Sequence, residues 1–436
     1  MSPPGIYVAG ATTAITRRTV CRKAFLAPWD PRVGDVCLYS LADAQRHTGV
    51  AVHYFTTVVS HYHGDVTPRT DNLPEFLRRL NRDISCGLHA VLCEQRYDAP
   101  RELFDDRQTH RMRLVDAAAQ ASHLIYHHLN TVAAGLVRRP EHMPQPTFDF
   151  GLWKTGFLEV RRPELYFGAD RPEVLRLVVT PPPELYRAFG GDLDALVHHM
   201  NKLSETALSA IAQSRRRAPL GAREVRGLHP WSEPRTLRET GGQPVPTFRI
   251  GARGIVGRRM RVEGAREVRA FRASHHATRI ARRSGDLAAA YPFGTYAARE
   301  YRGEPVEEEA PPQAIVARPG PTLDEVRAEL EGARRGAVPH DLLDEVRAAL
   351  REEAAAIVEE CDADAERADT ASADTASADA ERAETTSAEP EEDRPPSVTR
   401  HRFDARPQRC APARVVTLRD RRRGPSRRPR GSDPPV

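Results

Sequence analysis

Apolar and polar positions change their period several times along the chain, and each change marks an element. Ile6 to Thr16 (IYVAGATTAIT) is dense in β-branched residues and predicts a first strand that runs into Arg17-Arg18. From Asp35 to His47, Val36, Leu38, Tyr39 and Leu41 supply a helical face, which stops at Thr48-Gly49, a suitable C-terminal cap. Val50 to Val59 reads as the next strand, and Val58 to Val66 as a strand that ends in two histidines, His61 and His63. Leu73, Phe76, Leu77, Leu80, Ile84 and Leu88 return to helical spacing, so Asn72 to about Leu92 is an amphipathic helix with Asn72 as cap and Pro74 in its first turn. Arg111 to Val115 alternates like a strand. Asp116 then caps a helix from Ala117 to Leu129, and Asn130 to Val137 leaves it. The first 150 residues therefore form one unit of strands alternating with helices.

Past residue 150 the pattern is sparser. Leu193, Leu196, Val197, Met200, Leu203, Ala207 and Ile211 predict a helix over Asp192 to Ser214, and Arg249 to Arg283 is rich in arginine. Residues 151–300 form a partly helical extension that ends at Pro292-Phe293-Gly294-Thr295-Tyr296. Residues 301–361 read as a linker in which Leu323-Asp324-Glu325-Val326-Arg327-Ala328 recurs as Leu343-Asp344-Glu345-Val346-Arg347-Ala348, giving two short helices. Residues 362–436, an acidic repeat followed by a basic tail, offer almost nothing to bury and are expected to be disordered.

Composition narrows the function classes. A formal charge of +5 permits a nucleic-acid partner, yet almost all the positive charge is arginine alongside abundant Ala, Pro and Gly, so clustering is the better guide. Six cysteines form no C-x-x-C pair and no signal peptide is recognisable, which suits reduced thiols in a cytoplasmic protein. No apolar run approaches the ~20 residues that cross a bilayer, so no membrane partner is expected.

The candidate chemistry lies in the first unit. Successive strand side chains alternate faces, so His61 and His63 project together while Tyr62 points into the opposite layer. Two neutral imidazoles on one face can grip a divalent cation, although an isolated His-x-His is also found as two partly exposed histidines. Tyr126 and Asn130 stand at i and i+4 on one helix face, with His123 a turn earlier; helical spacing alone equally suits packing. His127 and His128 are expected to project from other faces of the helix. Arg17-Arg18 could touch phosphate or be solvated.

The ordered set of Ser60-His61-Tyr62-His63, a helix opening Leu73-Pro74-Glu75-Phe76-Leu77-Arg78, and Tyr126-x-x-x-Asn130 followed by Val132-Ala133-Ala134-Gly135-Leu136-Val137 resembles the HUH single-tyrosine transposases, most closely the REP-associated branch. The resemblance covers roughly residues 6 to 150. It implies an α+β fold, an antiparallel sheet with helices packed on one face. It also implies that His61 and His63 bind a divalent cation, that Asn130 completes the metal site, and that Tyr126 is the nucleophile; two nitrogens and one amide oxygen with open positions suit Mg²⁺ or Mn²⁺. Arg17 and Arg18 are candidate contacts to single-stranded or hairpin DNA, and a homodimer is compatible with the family. Two positions depart from the family pattern: Ser60 stands where Asn is common, and Thr131 where Pro follows the amide residue.

Two rival readings stay open. His61-Tyr62-His63-Gly64-Asp65 fits the start of the H-x-H-x-D-H motif of metallo-β-lactamases, but Val66 stands where the third histidine belongs. A protein that keeps the fold and binds DNA without cleaving it is the other.

Overall fold

The computed structural model describes residues 4–106, 108–215, 217–233, 248–251, 254–312 and 314–315. All lie in the first of two compact units, 1–375. Its strands and helices run β1 Thr13–Arg18, α1 Arg32–Thr48, β2 Ala51–Val58, β3 His61–Thr67, α2 Leu73–Glu94, β4 His110–Leu114 and α3 Ala117–Ala133. They continue with α4 Leu152–Thr155, β5 Phe157–Arg161, β6 Val174–Val178, α5 Pro183–Ala188, α6 Leu193–Ser214, α7 Ala222–Arg226, β7 Phe248–Gly251, α8 Gly254–Arg283 and α9 Tyr296–Arg302. The leucine repeats near 323 and 343, the acidic tract and the basic end lie outside the described residues.

Five strands form the main sheet in the order β2-β3-β1-β4-β7; the first four pair antiparallel, and β7 joins parallel to β4. The histidine stretch differs from its expected form. Val59 and Ser60 make a two-residue turn, and His61 opens a new strand paired between β1 and β2 instead of ending the previous one. The period-2 pattern survives this, because alternation holds on either side of a tight turn. The first strand is also shorter and later than Ile6 to Thr16.

Helices cover both faces, not one. On the face of Tyr62, the ring packs 5.5 Å from Phe55, and its hydroxyl donates to Asn81 Oδ1 of α2 at 2.8 Å. Phe76, Leu80 and Ile84 are fully buried on this helix, each worth roughly 1.5–3 kcal/mol of apolar burial. On the other face, Ala14 of β1 and Leu114 of β4 pack with Ala119 of α3. The packing makes both faces of β3 internal, so the strand is buried beyond its first residue.

Local chemistry sets the element ends. Gly49 takes φ +66° and its N–H closes on Gln45 O at 2.7 Å, the left-handed cap expected of it. Asn72 precedes α2 but does not cap it; its amide donates to Thr48 O at 2.7 Å instead. Asp116 does cap α3, accepting from Ala119 N at 2.6 Å. That helix runs to Ala133, past the expected exit at Leu129. Thr131 keeps the N–H that a proline would lack, and Leu136 N returns to Thr131 O at 3.1 Å with Gly135 at φ +69°.

One buried cluster extends from Ile15 to Val225, so residues beyond 150 share the core of those before it. The hairpin-like pair β5–β6 rests on α1, where Gln45 accepts from Val178 N at 2.7 Å and donates to Val178 O at 2.8 Å. Such side-chain pairing blunts an exposed sheet edge. Gly294 of the Pro-Phe-Gly-Thr-Tyr ending accepts from Tyr7 N at 3.2 Å, which returns that segment to the chain's start. No helix among the described residues is long and apolar enough to cross a membrane.

Candidate active site

Alternation along β3 puts His61, His63 and Asp65 on the face that α3 covers. Their neighbours across β1 are Arg18, Thr16 and Ala14. Thr16 Oγ1 lies 2.8 Å from His63 Nδ1, and Ser60 Oγ lies 3.3 Å from His61 Nδ1. With each Nδ1 engaged by a hydroxyl, the chemistry of both rings is left to Nε2. His61 Nε2 faces Asn130 Oδ1 at 3.3 Å, whereas His63 Nε2 is buried with no hydrogen-bond partner. The two ring centroids are 4.7 Å apart.

From the helix, Tyr126 brings its ring to 5.6 Å from that of His63 and stays half-buried. One residue on, His127 stacks on His63 at 4.5 Å and 24°, and its Nδ1–H donates to Asp65 Oδ2 at 2.6 Å. This hydrogen bond is closed to solvent, with side-chain exposures of 2% and 0%.

Burial is the first cause that holds both imidazoles of β3 below their ordinary pKa. Arg18 adds to it at His61, with a smaller effect from Arg22; His127 and then His61 add to it at His63. Both rings are therefore neutral at physiological pH and keep a lone pair for a Lewis acid. Arg22 sits in a turn where it and Cys21 both adopt positive φ, 53° and 50°, a conformation that non-glycine residues adopt only when the surroundings hold them there.

The structure thus brings His61, His63, Asn130 and Tyr126 together, with Arg18 beside them. Arg17 is not among them. Being one residue from Arg18, it points to the opposite face, where it donates to Asp105 O at 2.8 Å and lies over the Phe104 ring. Asn130, expected at the helix exit, lies inside α3. His128 does project elsewhere, within 3.0 Å of Tyr54 Oη and 3.3 Å of Phe148 O. His127 does not; it belongs to the site. Alternation could have flagged Asp65, two residues beyond His63. Nothing in helical spacing tells His127 from His128 until the crossing of α3 over β3 is known.

No three His, Cys, Asp or Glu side chains among the described residues are grouped to hold a metal ion. A cation here would have to rely on two imidazoles and an amide oxygen. The residues fit that requirement: two neutral rings oriented through Nδ1, one buried Nε2 without a partner, and an amide oxygen already beside the other Nε2.

No family model matches the chain, and no curated protein matches it. A solved structure of a REP-associated tyrosine transposase bound to a REP hairpin is similar at 15% sequence identity, over 38% of this chain and 90% of that one, with a TM-score of 0.29.

Proposed function

We propose that the chain is a metal-dependent, single-strand DNA nickase and ligase of the transposase type, with Tyr126 as nucleophile and His61, His63 and Asn130 as metal ligands. The observation that carries this reading is the meeting of a strand-borne imidazole pair and a helix-borne Tyr-x-x-x-Asn at one place, with His63 Nε2 buried and unpartnered. The sequence resemblance names the substrate class, single-stranded or hairpin-flanked DNA. Mg²⁺ or Mn²⁺, when bound, would withdraw charge from the non-bridging oxygens of the scissile phosphate.

The chain's own residues supply the rest. Arg18 and Arg22 make the rim beside His61 positive, which suits a phosphate backbone. Tyr126 loses its phenolic proton, its oxygen bonds to phosphorus, and the bond to the 3′-oxygen breaks, so that oxygen leaves as a hydroxyl. The product is a 5′-phosphotyrosine that retains the energy of the broken linkage. A 3′-hydroxyl attacking that phosphorus reverses the step and frees Tyr126, so cutting and joining need no nucleotide triphosphate.

Tyr126→Phe keeps the ring and removes only the hydroxyl. Wild-type protein incubated with hairpin-flanked single-stranded DNA and Mn²⁺ is expected to form a denaturation-resistant adduct, and the Phe variant none. A Phe variant that cleaves with water in the product would instead indicate the metallo-hydrolase reading. Wild-type protein that binds DNA and Mn²⁺ but neither cleaves nor forms an adduct would indicate a binding protein that has kept the fold.

A further inference from the structure

We infer that Asp65 and His127 are a positioning pair that fixes His63 and sets the spacing between β3 and α3 at the level of Tyr126. The inference rests on the reading of His63 as a metal ligand. Asp65 follows His63 by two residues on the same face of β3, and His127 follows Tyr126 directly in α3. Their 2.6 Å hydrogen bond therefore joins the strand that carries the imidazoles to the helix that carries the tyrosine and amide. The same His127 ring lies flat against His63, so the tether and the stack act on one ligand ring.

The energetics favour a geometric role. Burying a hydrogen-bonded polar pair costs desolvation, and replacing both partners by apolar groups of similar shape is commonly close to neutral for stability. The site is also incompletely satisfied: Asp65 Oδ1 is buried without a hydrogen-bond partner. What the pair provides that an apolar pair could not is direction. An N–H to carboxylate bond fixes the plane of His127, and the stacked plane of His127 restricts rotation of His63, whose Nδ1 is held from the other side by Thr16. Ligand rings oriented by such contacts bind metal more tightly, commonly by ten- to a hundredfold.

The test uses the full chain with Mn²⁺ alone as probe, its affinity read by electron paramagnetic resonance and its fold by the urea midpoint. Asp65→Val combined with His127→Leu removes tether and stack together without leaving either polar partner buried and unpaired. It is expected to fold with an unchanged or higher midpoint and to bind Mn²⁺ at least tenfold more weakly than wild type. Asp65→Asn keeps an acceptor for His127 and is expected to stay within about threefold of wild type. Equal Mn²⁺ affinity in the double variant and wild type overturns the inference, as does an Asp65→Asn loss as large as that of the double variant. A double variant that cannot fold overturns it too, since the pair would then be serving the fold. Wild-type protein that binds no Mn²⁺ refutes the metal-site reading itself, an outcome distinct from all of these.

Discussion

His53 shows how much one buried ring can govern. Its Nδ1–H donates to Thr180 O at 2.8 Å, and its Nε2 accepts from Thr67 Oγ1 at 2.7 Å, with Thr12 Oγ1 next in the chain at 2.9 Å. Protonating Nε2 would place a charge in a site that is 1% exposed. Burial, as the main cause, pushes its pKa from 6.5 down to about 4. Because the folded value is the lower one, the unfolded chain binds the proton first. Stability from this residue is complete above pH 6.5 and is lost as pH falls toward 4, at about 1.4 kcal/mol per pH unit. Urea midpoints measured between pH 7 and 4.5 are expected to fall accordingly, and His53→Gln to flatten that slope. The two arginines that end β1 separate in the same way, by environment. Arg18→Ala is expected to weaken single-stranded DNA binding and lower its logarithmic salt slope by about 0.7, the change for one lost phosphate contact. Arg17→Ala is expected to leave that slope unchanged and lower the melting temperature, since Arg17 is paired with Asp105.

At the scale of elements, α3 bears the greatest responsibility, because Tyr126, His127 and Asn130 all ride on it. Asp116→Ala removes the hydrogen bond to Ala119 N and is expected to destabilise the protein by about 1 kcal/mol, read by chemical denaturation. Adduct formation at low temperature should persist, because the cap lies more than two turns from Tyr126. This cap was legible in the sequence, as were the cores of α1, α2 and α6, since each depends on short-range pattern. The candidate residues His61, His63, Tyr126 and Asn130 were legible for the same reason: period 2 on a strand and i, i+4 on a helix survive errors in element ends. What escaped notice depends on partners distant in sequence. The turn at Val59-Ser60 contains neither glycine nor proline, so the two predicted strands overlap at Val58-Val59 with no break marked between them. β5 and β6 rest on α1, and β7 exists because β4 offers it an open edge. His127 could be assigned to the site only once β3 brought Asp65 and His63 beneath it.

For the whole molecule, packing among the described residues continues past the point at which the sequence suggests cutting. The proline-rich stretch invites truncation at Pro311, yet Ala314 is buried with Phe271 and Ile250, Ile315 N donates to Glu267, and Arg113 donates to Ile315 O. A chain ending after Ile315 is expected to keep the wild-type melting temperature and adduct formation, with shallower salt dependence of DNA binding. One ending at Pro311 is expected to melt several degrees lower. The parallel contact of β4 with β7 has a different consequence, in the order of assembly. Arg111 pairs with Phe248, 137 residues later, whereas Val58 pairs with His61 across a single turn. Closing the long loop costs more entropy and delays its reward. Pulsed hydrogen exchange during refolding is therefore expected to protect the β3 amides before those of β7. The hairpin of histidines would then take shape on a nascent sheet whose last strand has still to arrive.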